Sequence, residues 1–323
     1  MSTPRSTALA TSISTAALAL AALAAMNAAR SAPAEIAIPG QRVFPESITS
    51  AGGRLIIGSI AHREILEVKP GASAATPWIA PDDAAGAGVY GVFADDRSHT
   101  LWACFSEFPG AHGGGASMLK AFDLASGALK ARYVLPGRDA FCNDIAVGPD
   151  GTAYVSDTNN MQIDRLARPA ASLEVWAGNG AFGPRGGILD GVSVLGNRVI
   201  VNTLETSKIF AVVIATDGKA GAISEVKLSR PILEPDGMRA FGKDSVLLVE
   251  SGGPGRLSKL TLHGNTGEVT TLKEGYPQGP VSVTVVGASA YVLEGQLDLL
   301  FGKGTEDRPT QPFHATAVEV GAP

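Results

Sequence analysis

Three oxygen-bearing side chains occupy matching points of a repeated pattern in this sequence: Glu46, Asn143 and Asp236. Carboxylate and amide oxygens are the ligands that hard cations such as Ca²⁺ prefer. A carboxylate beside such a cation can also orient or deprotonate an attacking water. We therefore interpret all three residues as metal ligands and Asp236 as the catalytic residue. The alternative is that these side chains hydrogen-bond backbone groups at strand ends.

The element that positions Asn143 is a hairpin over residues 141–158, FCNDIAVGPDGTAYVSDT. Its two apolar segments are joined by Gly148-Pro149-Asp150-Gly151, which is typical of a strand, a tight turn and a second strand. In an antiparallel hairpin the first residues of one strand and the last of the other lie at the same end. One end of this hairpin is therefore predicted to be rich in side-chain oxygen.

Similar hairpins recur along the chain with a spacing of about 40 to 50 residues, which is typical of propeller blades. Six repeats of four strands predict an all-β fold, a six-bladed β-propeller. Each innermost strand should begin at the mouth of a central channel with one variable residue. We expect these six residues to form a ring: Glu46, Tyr90, Asn143, Gly186, Asp236 and Val281.

The last repeat lacks one strand, and the segment Glu35–Val43 precedes the first repeat without belonging to it. We predict that this segment supplies the outer strand of the sixth blade. Closure by both ends of the chain would remove free sheet edges. Residues 35–323 would then form a single propeller domain.

A substrate pocket is expected at the same face, since the second strand of each hairpin returns there. The residues predicted to form it lie in the ring, at the ends of second strands or in neighbouring loops. They are Tyr90, Phe105, Phe141, Asp157, Glu250, Glu294 and His112.

Composition limits the possible partners and the location. The net charge of the 323-residue chain is −5 and its Lys and Arg residues are not clustered, which argues against nucleic acid as a partner. Residues 1–34 contain an Ala/Leu-rich run followed by Ala32-Pro33-Ala34, which is typical of a secretory signal peptide. We expect a periplasmic or secreted monomer without membrane attachment after cleavage. Cys104 and Cys142 would be either bridged or buried as thiols.

The sequence resembles the gluconolactonase and regucalcin (senescence marker protein) family over roughly residues 40–320. The resemblance is carried by NDIAVGPDG from Asn143, EPDGM at Glu234–Met238 and, more weakly, PES at Pro45–Ser47. It implies a six-bladed propeller with one divalent metal in the channel. The implied ligands are Glu46, Asn143 and Asp236, and the fourth falls on Gly186, which has no side chain to donate.

A further departure from the resemblance concerns the substrate. The Arg that sugar-lactone hydrolases of the family carry two residues before the blade-three Asn is Phe141 here. The resemblance nevertheless implies a metal-dependent lactone or ester hydrolase that binds calcium, with zinc, manganese and magnesium as other candidates. The alternative is a non-catalytic propeller that binds a ligand or serves as a scaffold of the cell envelope.

Overall fold

The computed structural model describes residues 33–81, 86–107 and 117–322. The predicted signal peptide lies outside the described residues except for Pro33 and Ala34, and His112 lies outside them as well. Among the described residues, no helix has the length and the apolar character needed to cross a membrane.

The chain folds into six antiparallel blades whose innermost strands contact one another in a ring. Blade one consists of β2 (Pro45–Ala51), β3 (Arg54–Ser59), β4 (Ile65–Val68) and β5 (Thr76–Ile79). Blade two consists of β6 (Gly88–Asp95), β7 (Thr100–Ser106), β8 (Met118–Asp123) and β9 (Leu129–Val134). Blade three consists of β10 (Cys142–Val147), β11 (Ala153–Asp157), β12 (Gln162–Leu166) and β13 (Glu174–Ala177).

The other three blades repeat this order, except that blade five has an additional outer strand and the outer strand of blade six comes from the N-terminal part of the chain. Blade four consists of β14 (Leu189–Leu195), β15 (Arg198–Thr203), β16 (Lys208–Ile214) and β17 (Ala220–Glu225). Blade five consists of β19 (Pro235–Phe241), β20 (Ser245–Glu250), β21 (Arg256–His263) and β22 (Thr266–Glu274), with the short β18 (Lys227–Leu228) parallel to β22. Blade six consists of β23 (Pro280–Val286), β24 (Ser289–Glu294), β25 (Phe313–Glu319) and β1 (Glu35–Ile38). The predicted six-bladed propeller is confirmed.

The ring closes through β1, as predicted for the segment Glu35–Val43. β1 pairs antiparallel with β25, and the register aligns Glu35 with Thr316 and Ile38 with Phe313. Ile36 and Ile38 point inward and are 1% and 2% exposed, because alternate residues of a strand face opposite sides of the sheet. The N-terminal strand is thus held in blade six both by backbone hydrogen bonds to β25 and by the burial of its apolar side chains.

Cys104 and Cys142 form a disulfide between β7 of blade two and β10 of blade three, with a Cα–Cα distance of 5.1 Å. Of the two alternatives that the sequence left open, the bridge is the one observed. The bond also fixes the start of β10, since Asn143 is the next residue.

One short helix, α1 (Leu297–Phe301), lies between β24 and β25. The segment from α1 to β25 is held by Arg42, which follows β1. The Arg42 guanidinium donates to the carbonyl oxygens of Arg308, Thr305 and Leu299 at 3.0, 3.3 and 3.4 Å. This attachment keeps α1 at the channel mouth.

Candidate metal centre and pocket

A β-bulge at the start of each innermost strand aims one side chain into the channel. The pairing of β10 with β11 shifts between Cys142 and Ile145, and the pairing of β19 with β20 shifts between Pro235 and Met238. Corresponding shifts occur in the other four blades. A bulge turns a side chain out of the regular alternation. The ring residue of each blade is the one that follows the last paired residue before the shift.

In blade four this position belongs to Asp190, and the prediction that Gly186 occupies it is wrong. β14 begins at Leu189, and its pairing with β15 shifts between Leu189 and Val192. Gly186 lies in the loop before β14, where it borders the cavity but offers no side chain. The ring is therefore not short of a ligand in blade four, since a carboxylate stands where the sequence pattern indicated a glycine.

The glycine after Asp190 is required by the close approach of the next blade. A Cβ on Gly191 would lie 2.5 Å from the backbone oxygen of Asp236. Real Cβ atoms do not approach an oxygen this closely, so the neighbouring blade would have to move. Gly191 therefore allows the two ring carboxylates of blades four and five to meet.

Three carboxylates from three blades converge in the channel. One oxygen each of Glu46, Asp190 and Asp236 lies within 4.8 Å of the others, and the residues are only 7%, 5% and 7% exposed. Asn143 completes the set from blade three: its amide nitrogen donates to Thr158 Oγ1 at 3.0 Å, while its Oδ1 is buried and has no hydrogen-bond partner among the described residues. A buried acceptor without a donor is costly unless a cation satisfies it.

Without a cation these acids hold protons more tightly than usual. Burial raises the pKa of Glu46 well above its ordinary value, and the charges of Asp236 and Asp190 raise it further. Burial and the neighbouring Asp144 raise the pKa of Asp190 to about 7. Burial and then Asp190 raise the pKa of Asp236. Crowded carboxylates behave in this way when no cation is present to compensate them.

A buried ion pair lies one layer further along the innermost strands. Arg239 Nη1 donates to Asp144 Oδ2 at 2.9 Å and to its Oδ1 at 3.1 Å. Arg239 Nη2 donates to Ser47 Oγ at 3.2 Å and to the Val92 carbonyl at 3.1 Å. The guanidinium thus links strands of four blades. Its positive charge opposes the rise in the pKa of Glu46.

A cavity of about 960 Å³ opens above the carboxylates. Glu46, Asn143, Asp190 and Asp236 all border it, so the candidate ligands can be reached from it. Tyr90 and Phe141, which the sequence predicted for a substrate pocket, border this cavity, and their rings meet edge to face with centroids 4.6 Å apart. α1 contributes Leu297, Asp298 and Phe301 to the same cavity.

Asp157, Glu250 and Glu294, which the sequence predicted for the pocket, do not border this cavity. Each lies at the end of a second strand and accepts a backbone N–H from the loop that enters its own blade. Asp157 accepts from Phe141 N at 2.9 Å, Glu250 from Leu233 N at 3.0 Å and Glu294 from Gln278 N at 2.8 Å. These carboxylates fix the loops beside the cavity without bordering it.

Phe105, also predicted for the pocket, does not border this cavity. Its side chain packs between blades, 6.2 Å from the ring of Phe122 and beneath Lys120 Nζ at 3.7 Å. Phe105 pairs with Val89, the residue before Tyr90, and belongs to an apolar cluster that also contains Ile56 and Ile65 of blade one. The predicted pocket residue His112 lies outside the described residues.

Two residues of the centre were not predicted from the sequence, Asp190 and Arg239. A signal for Asp190 was present, since Asp190-Gly191-Val192 repeats Asp236-Gly237-Met238. The numbers of residues that separate Asp190 from Asn143 and from Asp236 are also close to the numbers that separate the second-strand ends of these blades. The corresponding numbers for Gly186 match less well. Arg239 carries no comparable signal, since nothing in its neighbourhood distinguishes it from a solvent-facing residue.

Comparison with solved structures identifies the fold. A gluconolactonase from Xanthomonas campestris has a TM-score of 0.60 at 16% identity, covering 86% of this chain and 87% of that one. A calcium-binding regucalcin from Agrobacterium tumefaciens has a TM-score of 0.62 at 13% identity, covering 90% and 96%. This chain has the gluconolactonase- and regucalcin-like propeller fold. The resemblance seen in the sequence is thereby confirmed for the architecture.

A protein of similar architecture has a name that indicates a reaction other than lactone hydrolysis. The virginiamycin B lyase from Staphylococcus aureus has a TM-score of 0.59 at 19% identity, covering 80% of each chain. No protein-family model and no curated protein sequence matches this chain. A fold shared by a lactonase and a lyase does not fix a reaction, so the activity has to be argued from the site.

Proposed function

We propose that this protein is a metal-dependent hydrolase of a lactone or ester. The observation that carries the proposal is the convergence of Glu46, Asp190, Asp236 and the unpartnered Asn143 Oδ1 at the floor of the cavity. This all-oxygen donor set fits a hard divalent cation, and calcium is the best match. The calcium-binding regucalcin of similar fold supports the same choice.

When bound, the cation would act as a Lewis acid that polarises the substrate carbonyl. Glu46, Asn143, Asp190 and Asp236 would hold it through their side-chain oxygens. Asp236 would orient the attacking water and accept its proton at a carboxylate oxygen. The water oxygen bonds to the carbonyl carbon, the acyl carbon–oxygen bond breaks, and the leaving oxygen takes up a proton.

The binding-scaffold alternative loses its main support. It was favoured by the absence of a fourth ligand at Gly186, and Asp190 supplies one. A mere structural role for these residues would also leave the buried Asn143 Oδ1 without a partner among the described residues.

We also propose that the protein acts in the periplasm or outside the cell. The signal-like segment over residues 1–34 supports this location. The disulfide between Cys104 and Cys142 supports it independently, because such bonds persist mainly in oxidising compartments. The cavity supports a small molecule as the substrate.

The decisive experiment is a panel of lactones and esters assayed with calcium and with chelator, for wild type and Asp236→Asn. We expect hydrolysis by wild type only with metal, and a loss of ~10²-fold or more in the variant. Melting curves with and without calcium supply a second readout, since a ligand of the native state raises Tm. Glu268→Gln, an exposed change on β22, serves as the control. Absence of both hydrolysis and any calcium shift in wild type would refute the proposal.

A further inference from the structure

The walls of the cavity are apolar where they surround the candidate centre. Besides Tyr90 and Phe141, the side chains that border it include Ile188, Leu204, Pro254, Tyr276, Pro277, Val281, Leu297 and Phe301. These residues come from the loops of several blades and from α1, so they surround whatever lies over the carboxylates. Aromatic and aliphatic walls stabilise a ligand in proportion to its own apolar surface.

Several polar side chains on the walls are already engaged within the protein, whereas the buried hydroxyls of Tyr90 and Tyr276 have no partner among the described residues. Thr158 Oγ1 donates to the Leu189 carbonyl at 2.7 Å and accepts from Asn143. Ser251 Oγ donates to the Glu234 carbonyl at 2.9 Å. A ligand with many hydroxyl groups would have to break these bonds or remain unpaired, and both are costly.

Two further amides on the walls are engaged in the same way. Asn159 Nδ2 donates to the Asp139 carbonyl at 2.9 Å, and Gln278 Oε1 accepts from Gln296 at 3.0 Å. These bonded amide atoms are therefore not free for the hydroxyls of a sugar ring.

The charged residues around the cavity are all acidic. No Lys, Arg or His of the described ranges 33–81, 86–107 and 117–322 borders it. Glu205, Glu234 and Asp298 are exposed at its rim, in addition to the three acids at its floor. A low-dielectric cleft lined by one sign of charge concentrates ligands of the opposite sign and repels those of the same sign.

From these observations we propose that the site selects a neutral lactone or ester with an apolar alkyl or aryl body, and that it discriminates against polyhydroxylated and anionic analogues. This inference rests on the proposed function. The same rim favours departure of the product, since hydrolysis turns the neutral substrate into a carboxylate anion. Phe301 and the rim acids would set this specificity.

The first test compares δ-lactones of one ring size, from δ-valerolactone to δ-dodecalactone, with glucono-1,5-lactone. We expect kcat/KM to rise about threefold to fourfold per added methylene until the cavity is filled. Phe301→Ser should flatten this rise, whereas Phe301→Leu should keep most of it. Faster hydrolysis of gluconolactone than of every alkyl lactone would overturn the inference and leave the proposed function standing.

The second test uses aryl acetates that carry a neutral, a trimethylammonium or a sulfonate group. The sulfonate ester should be the poorest substrate of wild type. Combined Glu205→Gln, Glu234→Gln and Asp298→Asn should improve its kcat/KM threefold to tenfold relative to the cationic ester, and added salt should shrink this gain. Glu268→Gln should change neither ratio. A sulfonate ester that equals the others in wild type would contradict the charge selection.

A binding measurement separates this inference from the proposed function. Calorimetry with 6-alkyl-2-piperidones, the corresponding non-hydrolysable lactams, should show tighter binding as the alkyl chain grows. Such binding without any lactone hydrolysis would refute the hydrolase and keep the apolar specificity. Lactam affinity that is independent of chain length would refute the apolar specificity.

Discussion

At the scale of single residues, Asp190 raises the number of carboxylates at the channel mouth from two to three. Glu46 and Asp236 alone would leave a two-carboxylate site, whereas Asp190 brings a third carboxylate within 4.8 Å of both. Three acids and one amide oxygen would supply four protein ligands to a bound cation. The remaining positions of a six- to eight-coordinate cation would be open to water and substrate.

Replacement of Asp190 by Asn should weaken metal binding while the fold is retained. Loss of one of three crowded charges relieves repulsion, so the metal-free variant should melt at the wild-type temperature or above it. With saturating calcium, wild type should gain more in Tm than the variant. Differential scanning calorimetry with calcium and with chelator measures both effects, with Glu268→Gln as the control. An equal calcium shift in both proteins would contradict a ligand role for Asp190.

Asp164 gives a residue-scale prediction away from the channel. It is fully buried, its Oδ1 accepts from Gln162 at 2.9 Å, and its Oδ2 has no partner among the described residues. Burial, followed by the charge of Asp157, raises its pKa from 3.8 to about 8. The folded state thus holds a proton that the unfolded state has lost between these pH values.

Because the folded state binds the extra proton, this contribution to stability is present below pH 4 and is lost as the pH rises towards 8. Asp164→Asn removes the titration, so the variant should lose less stability than wild type between pH 5 and about pH 8. Denaturant titrations at several pH values measure the difference. Parallel pH dependences of the two proteins would contradict the prediction.

At the scale of elements, the site depends on contacts that hold neighbouring blades in register. The disulfide ties β7 to the residue before Asn143, and Arg239 ties β19 to strands of three other blades. Both connections act on innermost or adjacent strands. They keep ring residues from different blades close together.

Removal of the disulfide by Cys104→Ser with Cys142→Ser should lower the free energy of unfolding by up to about 4 kcal/mol, because the bond closes a loop with a sequence separation of 38. Calcium affinity should fall as well, since Asn143 loses its anchor. Urea titrations and calcium titrations measure the two effects, with reduced wild type as the control. Unchanged stability would show that packing alone holds these blades together.

Arg239→Met should destabilise the protein by about 3–5 kcal/mol, since it leaves Asp144 buried without its partner. Arg239→Met combined with Asp144→Asn should recover part of this loss, because no unpaired charge remains. A double-mutant cycle in urea measures the coupling. A double variant no more stable than the single one would contradict the ion-pair interpretation.

At the scale of the whole molecule, the propeller is a ring that β1 closes by pairing with β25. Apolar clusters fill the spaces between blades, and the cluster that includes Ile36, Ile38 and Phe313 also contains residues of blade one and Tyr90. β1 therefore supports both the sixth blade and the cavity wall.

Deletion of Glu35–Val43 should destabilise the entire domain, because β25 would become an open edge and the ring could open. Ile36→Ala, a smaller change in the same strand, should cost about 2–5 kcal/mol. Glu35→Ala, on the exposed face of β1, is the matched control. Thermal melting of the three proteins measures the effects, and a deletion variant that melts with wild type would contradict closure by β1.

The sequence by itself determined the architecture of this protein. Short-range patterns of strand, turn and strand recur six times, and the surplus segment Glu35–Val43 indicated how the ring closes. Glu46, Asn143 and Asp236 could be placed at the channel because each opens an apolar strand with a recognisable local motif. Such features depend on residues that are neighbours along the chain, and they can therefore be recognised in the sequence alone.

Only the tertiary structure decided the composition of the site. Gly186 and Asp190 both precede a small and an apolar residue, and the bulge in β14 selects Asp190. Arg239 and the disulfide connect residues that are close only after the blades have met. The second-strand carboxylates turned towards loop N–H groups, since the pleat of the strand directs their side chains away from the cavity. These choices depend on packing between blades, which a local pattern does not contain.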